Sequence, residues 1–246
     1  MTHLRLLAMA MLLVGAPVVA DLAALEEQWH AVVSVHVQSG RVDYPALHQD
    51  SRFASVVAGI ADANLTDSNA QQRLAFYINA YNVLAIDGIL RGLSPRTALG
   101  KWRYFYRAKF TVAGERMTLN QLENDLIRAM NEPRIHFAIV CASASCPKLQ
   151  GAAYRAQKLD QQLAAAAGEF INDPTKNRFS LAERSARISK IFKWFAQDFV
   201  ASAGSVSTYI ARYVRDPEIA AALRRQELVT RYLPYDWTLN GTPPRD

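Results

Sequence analysis

The stretch Arg134–Leu149, RIHFAIVCASASCPKL, decides how the rest of the chain is read. An apolar run from Ile135 to Val140 carries one histidine, His136, and ends at Cys141. The chain then passes through Ala-Ser-Ala-Ser, which holds Ser143 and Ser145, to Cys146 and Pro147. A short apolar run closed by small residues and a proline predicts a buried strand, because proline cannot donate to a ladder and must lie beyond its end. Alternation puts Ile135, Phe137, Ile139 and Cys141 on one face of that strand, and His136, Ala138 and Val140 on the other. At ~3.3 Å per residue, His136 and Cys141 are expected roughly 16 Å apart and facing opposite ways. A thiolate at Cys141 then needs a base from elsewhere in the chain.

Cys141 and Cys146 are the only cysteines. Their compartment is set by the start of the chain. Residues 1–20 have a short region with Arg5, an apolar stretch from Leu6 to Val14, and Val18-Val19-Ala20 before Asp21. This is the pattern of a cleaved secretory signal peptide, too short to span a membrane and interrupted by Pro17. The mature protein is expected to be residues 21–246, one domain, periplasmic or secreted, with no transmembrane segment after cleavage. In an exported protein, two cysteines five positions apart suggest a disulfide between Cys141 and Cys146. A redox-active pair and a free nucleophilic cysteine remain the alternatives. A zinc site is not expected, since two cysteines without a second Cys/His cluster do not complete four ligands. No other metal and no cofactor is indicated.

Half of the residues are apolar and a fifth are charged, which is globular composition. The net charge is +6, and the basic residues are read as scattered along the chain rather than gathered among aromatics. That balance fits an envelope protein with some affinity for anionic polymers, and nucleic acid is not an expected partner.

In chain order, Asp21–Gln38 carries Leu22, Leu25, Trp29, Val32 and Val33 on one helical stripe. A turn follows at Gly40–Pro45, and Asp50–Ala63 reads as a second helix. Ala70–Leu93 is apolar nearly all round and reads as a buried helix, capped by Asp67 or Ser68. It carries Asn79 and Asn82 three apart on a shared face. Two buried amides must find partners, so they either tie down a neighbouring loop or line a ligand pocket. Trp102–Met117 alternates and predicts a hairpin about Ala113-Gly114. Thr118 and Gln121 form a capping box for a helix to about Met130. Glu123 on that helix is expected half-exposed or, if buried, paired with Arg134 or His136. Beyond Pro147 come a helix over Tyr154–Ile171, two short strands in Arg178–Ser189, a helix capped by Ser189, two short helices and a last strand at Leu228–Leu233. The fold class is α+β: a mainly helical domain around a small central sheet.

Several stretches together resemble the family named Domain of Unknown Function 547: GRVDY at Gly40–Tyr44, FYINAYN at Phe76–Asn82, TLNQLE at Thr118–Glu123, RIHFAIVCASASCPKL, SKIFKWFAQDF at Ser189–Phe199 and the closing YDWTLN. The resemblance implies that Asn79, Asn82, Arg134, His136, Cys141, Ser145, Cys146 and Pro147 belong to the family's core pattern. It brings no established activity. A cysteine among helices and a small sheet is similar to papain-like and transglutaminase-like enzymes. Those enzymes place the cysteine at a helix N-terminus with histidine on a later strand, whereas here the histidine comes first.

Three functional readings follow. The first is an envelope binding protein for a small molecule or polymer, with a disulfide-shaped loop and a polar cluster of Asn79, Asn82, Arg134, Ser143 and Ser145. The second is a thiol-dependent hydrolase or acyl-transferase using Cys141 or Cys146, with His136 as candidate base. The third is a disulfide redox partner, although Cys-x4-Cys is not the usual redox spacing. A serine nucleophile lacks the G-x-S-x-G elbow.

Overall fold

The computed structural model describes residues 21–244 of the 246-residue chain. Residues 1–20, expected from the sequence to be a signal peptide, lie outside the described residues. The first helix, α1 (Leu22–His36), starts where the Asp21 carboxylate accepts from the Ala23 amide, and it buries Leu25, Trp29, Val32 and Val33. A tight turn at Gly40 leads from β1 (Val37–Gln38) into β2 (Arg41–Asp43). Gly40 has φ +81, and a Cβ there would sit 2.6 Å from Lys148 Cβ. Only glycine suits both the left-handed backbone and this contact with the chain just after Pro147. Helices α2 (Tyr44–Gln49) and α3 (Ser51–Asp62) follow.

Helix α4 (Ala70–Leu90) is the central post, with fourteen positions from Leu74 to Ile89 buried. Its start is fixed by a capping box between Asn69 and Gln72. The cap is thus Asn69 rather than Asp67 or Ser68, because Gln72 lies at the position that can return a hydrogen bond to it. Helix α5 (Ala98–Lys101) runs on as a π-helical turn, Trp102–Arg107. Only the second half of the predicted hairpin forms, β3 (Phe110–Val112) against β4 (Glu115–Met117). Aromatics at 102, 104, 105 and 106 suit a helix whose inner side packs on α4, where Tyr104 donates to the Ala85 carbonyl at 2.8 Å. The Thr118–Gln121 capping box starts α6 (Leu119–Gln121), which continues through helical turns to Met130.

The run Ile135–Val140 is not a strand. Pro133–Phe137 forms a 3-10 helix, and the Glu132 carboxylate caps it by accepting from the Arg134 amide. Proline with its preset φ is favoured at the first position of a helix, so Glu132-Pro133 opens a helical turn here rather than ending a loop. The irregular segment that follows takes its partner from a side chain. Asn82 Nδ2 donates to the Ala138 carbonyl at 2.9 Å, and Asn82 Oδ1 accepts from the Val140 amide at 2.8 Å. One amide pairs with this backbone as a neighbouring strand would.

After that segment come α7 (Leu159–Ile171), β5 (Arg178–Ser180), β6 (Ser185–Ile188), α8 (Ile191–Trp194), α9 (Ala196–Ala203), α10 (Val206–Ile210), α11 (Pro217–Arg224), β7 (Val229–Tyr232) and β8 (Gly241–Thr242). The class is α+β and mainly helical, with strands in three small sheets: β1-β2-β8, β3-β4 and β5-β6-β7. Among the described residues, no helix is long and apolar enough to cross a membrane.

Two hydrophobic clusters hold these elements, and the run 135–140 feeds both. Ile135, Ala138, Ile139 and Val140 belong to the larger cluster around α4. Phe137 points the other way, packing on Phe170, Phe192, Phe199 and Tyr209 with ring centroids 5.1–6.3 Å apart. Asn82→Ala leaves the Ala138 carbonyl and the Val140 amide unpaired in this seam. It is expected to cost about 2–4 kcal/mol in urea unfolding, with the unfolding slope unchanged. A loss below ~0.5 kcal/mol would contradict the role given to this amide.

Candidate functional site

A cleft of about 470 Å³ opens where residues 136–147 meet the helix carrying Glu123 and the closing segment at Tyr235–Trp237. His136, Cys141 and Cys146 all line it. The expected separation of His136 and Cys141 onto opposite faces fails because the chain between them is a 3-10 turn and an irregular segment, without strand alternation. They nevertheless make no hydrogen bond with each other, since each is committed elsewhere.

His136 is 3% exposed and stacks on Phe195 at 3.9 Å. Its Nε2 lies 2.7 Å from Asp198 Oδ2, and Arg128 grips the same carboxylate through Nε at 2.8 Å and Nη2 at 2.7 Å. Burial pushes the His136 pKa down, against the pull of Asp198. Asp198 is held well below the usual carboxylate range by His136 and Arg128, which outweigh its own partial burial. The two shifts agree on one state: an Asp198 carboxylate, neutralised by Arg128, accepting from Nε2–H of a neutral imidazole. That tautomer leaves Nδ1 as an acceptor, and it is buried without a hydrogen-bond partner.

Glu123 also lines the cleft. Its Oε2 accepts from the Tyr81 hydroxyl at 3.2 Å, so its partner is neither Arg134 nor His136. Burial raises its pKa to about 7, with Tyr81 and Arg128 opposing. Such a carboxyl exchanges a proton near neutral pH.

The cysteine sulfurs lie at disulfide distance, with Cα atoms 6.3 Å apart. The Cys141 amide donates to Cys146 Sγ at 3.1 Å, and the side chains around the pair are hydroxyls. Tyr235 Oη is 3.4 Å from Cys141 Sγ and 3.2 Å from Cys146 Sγ, and Ser143 Oγ donates to Tyr235 Oη at 3.1 Å. Burial pushes the Tyr235 pKa up, so it stays a phenol. The loop is sewn to the end of the chain. The Ala144 amide donates to the Thr238 carbonyl at 2.7 Å, the Asn240 amide to the Ala142 carbonyl at 3.2 Å, and the Asp236 amide to Ser145 Oγ at 2.8 Å. Lys176 adds a bond to the Ala144 carbonyl.

The remaining polar residues singled out in the sequence do not line this cleft. Asn79 brackets Tyr154, donating to its carbonyl at 2.7 Å and accepting from its amide at 2.9 Å. Asn82 brackets residues 138–140. Arg134 is taken up by Glu132 and by Asp160, with Nη2 and Nη1 contacts of 2.6 and 2.8 Å. Ser143 and Ser145 brace the loop. Sequence reasoning missed Asp198, Arg128, Tyr235, Trp194 and Trp237. For all but Arg128 the signal was present in KWFAQDF and YDWTLN, where polar residues stand among aromatics that a plain core helix does not need. Trp194, Tyr235 and Trp237 form one wall, with ring centroids 4.7–6.0 Å apart. Among the described residues, no group of three or more His, Cys, Asp or Glu side chains is placed to hold a metal ion.

Glu123 and Asp198 act on stability in opposite pH windows. Glu123 has a raised pKa, so its contribution is full below the ordinary carboxylate value of 4.5 and is lost as pH rises through about 7. Asp198 has a lowered pKa, so its contribution is present above 3.8 and is lost on acidification below that value. Glu123→Gln is therefore expected to gain on wild type between pH 5 and pH 8, by about 2–3 kcal/mol at the upper end. Melting curves across that range check it, and a pH-independent difference would contradict the buried, proton-exchanging carboxyl.

No curated protein and no solved structure gave a match to the chain. A sequence model of the family described as "Protein of unknown function, DUF547" matches residues 65–171, which span α4, the Glu123 helix, the 3-10 turn with His136, both cysteines and α7. Over those residues the chain is similar to the DUF547 family.

Proposed function

We propose that this is an exported envelope protein that binds a polyhydroxylated ligand, a saccharide portion of an envelope polymer, in the cleft beside the Cys141–Cys146 loop. The observation that carries the reading is the pairing of an aromatic wall with an acceptor-rich floor in one open cavity. Trp194, Tyr235 and Trp237 offer flat apolar faces, and the Glu123 carboxyl and His136 share the same lining. Binding sites are mostly apolar cavities with a few placed polar groups. A sugar ring offers C–H faces to aromatics and hydroxyl donors to carboxylate and imidazole acceptors.

The cysteine pair fits this reading as a brace. A disulfide over so short a loop removes little chain entropy, on the order of 2 kcal/mol, and mainly fixes the loop's shape. The loop in turn holds Tyr235 and the closing segment against the cleft. The thiol-enzyme reading has less support, because the His136 Nε2 partner is Asp198 and the sulfurs face hydroxyls. A second reading rests on Glu123 alone. A carboxyl with a pKa near 7 in a cleft is suited to general acid–base work on whatever binds there.

Titration of tryptophan fluorescence with soluble glycan fragments of the cell envelope tests the proposal. Saturable binding is expected, weakened at least tenfold by Trp194→Ala and less by Glu123→Gln. Cleavage of the fragments, abolished by Glu123→Gln, would favour the second reading. No binding to any fragment would contradict the proposal.

A further inference from the structure

The reading of the basic residues as scattered needs correction at one place. Residues 101–110 read KWRYFYRAKF, with cations and aromatics interleaved. Between Asp87 and Glu115 the chain carries Arg91, Arg96, Lys101, Arg103, Arg107 and Lys109, and no acidic residue.

The structure gives this stretch a two-sided form. Helix α5 and its π-helical continuation press Tyr104 into the protein, with the ring only 3.1 Å from where a Cβ on Gly88 of α4 would stand. Phe105 packs edge-on to Tyr104 at 4.8 Å and to Trp237 at 6.3 Å. The outer side carries Leu99, Trp102 and Tyr106, which are 56%, 51% and 58% exposed. A rotation of ~100° per residue in the α turn brings Leu99 and Trp102 to one side. The wider π turn brings Tyr106 almost over Trp102. Three large apolar side chains thus project together from a helix anchored by its opposite side. Lys101 is occupied over the Trp237 ring at 4.0 Å, and Arg91 is paired with Asp87 at 2.6 Å. Arg96, Arg103, Arg107 and Lys109 are exposed and make no ion pair among the described residues.

We propose that the outer side of the helix Ala98–Arg107 docks the protein on a membrane surface of anionic phospholipid. Leu99, Trp102 and Tyr106 enter the headgroup–acyl boundary, and Arg96, Arg103, Arg107 and Lys109 meet the phosphates. Tryptophan and tyrosine favour that boundary, where the ring is apolar and its edge stays wet. Basic residues around an apolar helix face are the composition of interfacial binding, and each cation near an anionic leaflet adds affinity. A bare polyanion would match the cations, and its bases would stack on Trp102 and Tyr106. It would leave Leu99 in water, which is why lipid is the better fit. The proposal does not depend on what the cleft binds. Phe105 and Tyr106 also line the cleft, so docking would set the cleft's mouth beside the lipid surface.

Flotation of the intact mature protein with vesicles tests this. The probes are phosphatidylcholine vesicles alone and vesicles with about a third phosphatidylglycerol, at low and high salt, alongside a single-stranded oligonucleotide. The expected result is at least tenfold stronger binding to the anionic vesicles, reduced by salt. Arg103→Glu/Arg107→Glu should abolish it, and Leu99→Ala/Trp102→Ala should weaken it at least tenfold. None of these side chains is buried, so melting temperatures should stay within a degree or two of wild type. Equal binding to neutral vesicles, no binding at low salt, or binding to which Leu99 and Trp102 contribute nothing would overturn the proposal. Oligonucleotide binding tighter than vesicle binding would also overturn it in favour of a nucleic-acid surface.

Discussion

The Asn82 amide on the Ala138–Val140 backbone is the contact on which the rest depends. A buried helix and an irregular buried segment are hard to combine, because the segment's peptide groups have no ladder to join. Asn82 supplies both a donor and an acceptor from the middle of α4, and Asn79, one turn earlier, does the same for Tyr154. With the chain held at 138–140 and at 154, the cysteine loop between them has a fixed base. Its outer end is then pinned by the closing segment, whose Asn240 is held by the buried Tyr44 hydroxyl at 2.8 Å. The cleft is the space left between the anchored loop, the Glu123 helix and the α8–α9 corner.

That arrangement explains how charged groups persist beside a core. Asp198 carries its charge because Arg128 and His136 surround it, and His136 stays neutral because it is buried between Phe195 and Phe199. Glu123 has only Tyr81 as a direct partner and is pushed toward protonation. Glu123 and His136 in the cleft lining, and Asp198 behind His136, are thus tuned to different states. A structural ion-pair network would have little use for a Glu123 held by one phenol or for the unpartnered Nδ1 of His136.

Much of the helical frame was legible from the sequence because its signals are local. The stripe in α1, the apolar circumference of α4 and the Thr118–Gln121 box each lie within one or two turns of the residues they organise. The central run was misread because an apolar segment of that length does not distinguish strand from irregular core. The deciding features were Pro133 at a helix start and an amide from a distant helix. The site was less legible for the same reason. His136 and Asp198 are 62 residues apart in sequence, and Ser143 and Tyr235 are 92 apart. No periodicity or spacing rule links such positions. The polar residues that stood out, Asn79, Asn82 and Arg134, proved to be braces, while the cleft drew on residues set among aromatics in the last quarter of the chain.

The most direct test is a thiol count on the protein purified from its native host, by alkylation and mass spectrometry without reductant. The account takes Cys141 and Cys146 as a closed brace for the cleft wall. It predicts no alkylation until the protein is reduced, and then two labels. Two free thiols in the isolated protein, one reacting quickly at neutral pH, would contradict it and return the cysteines to the chemistry of a nucleophile.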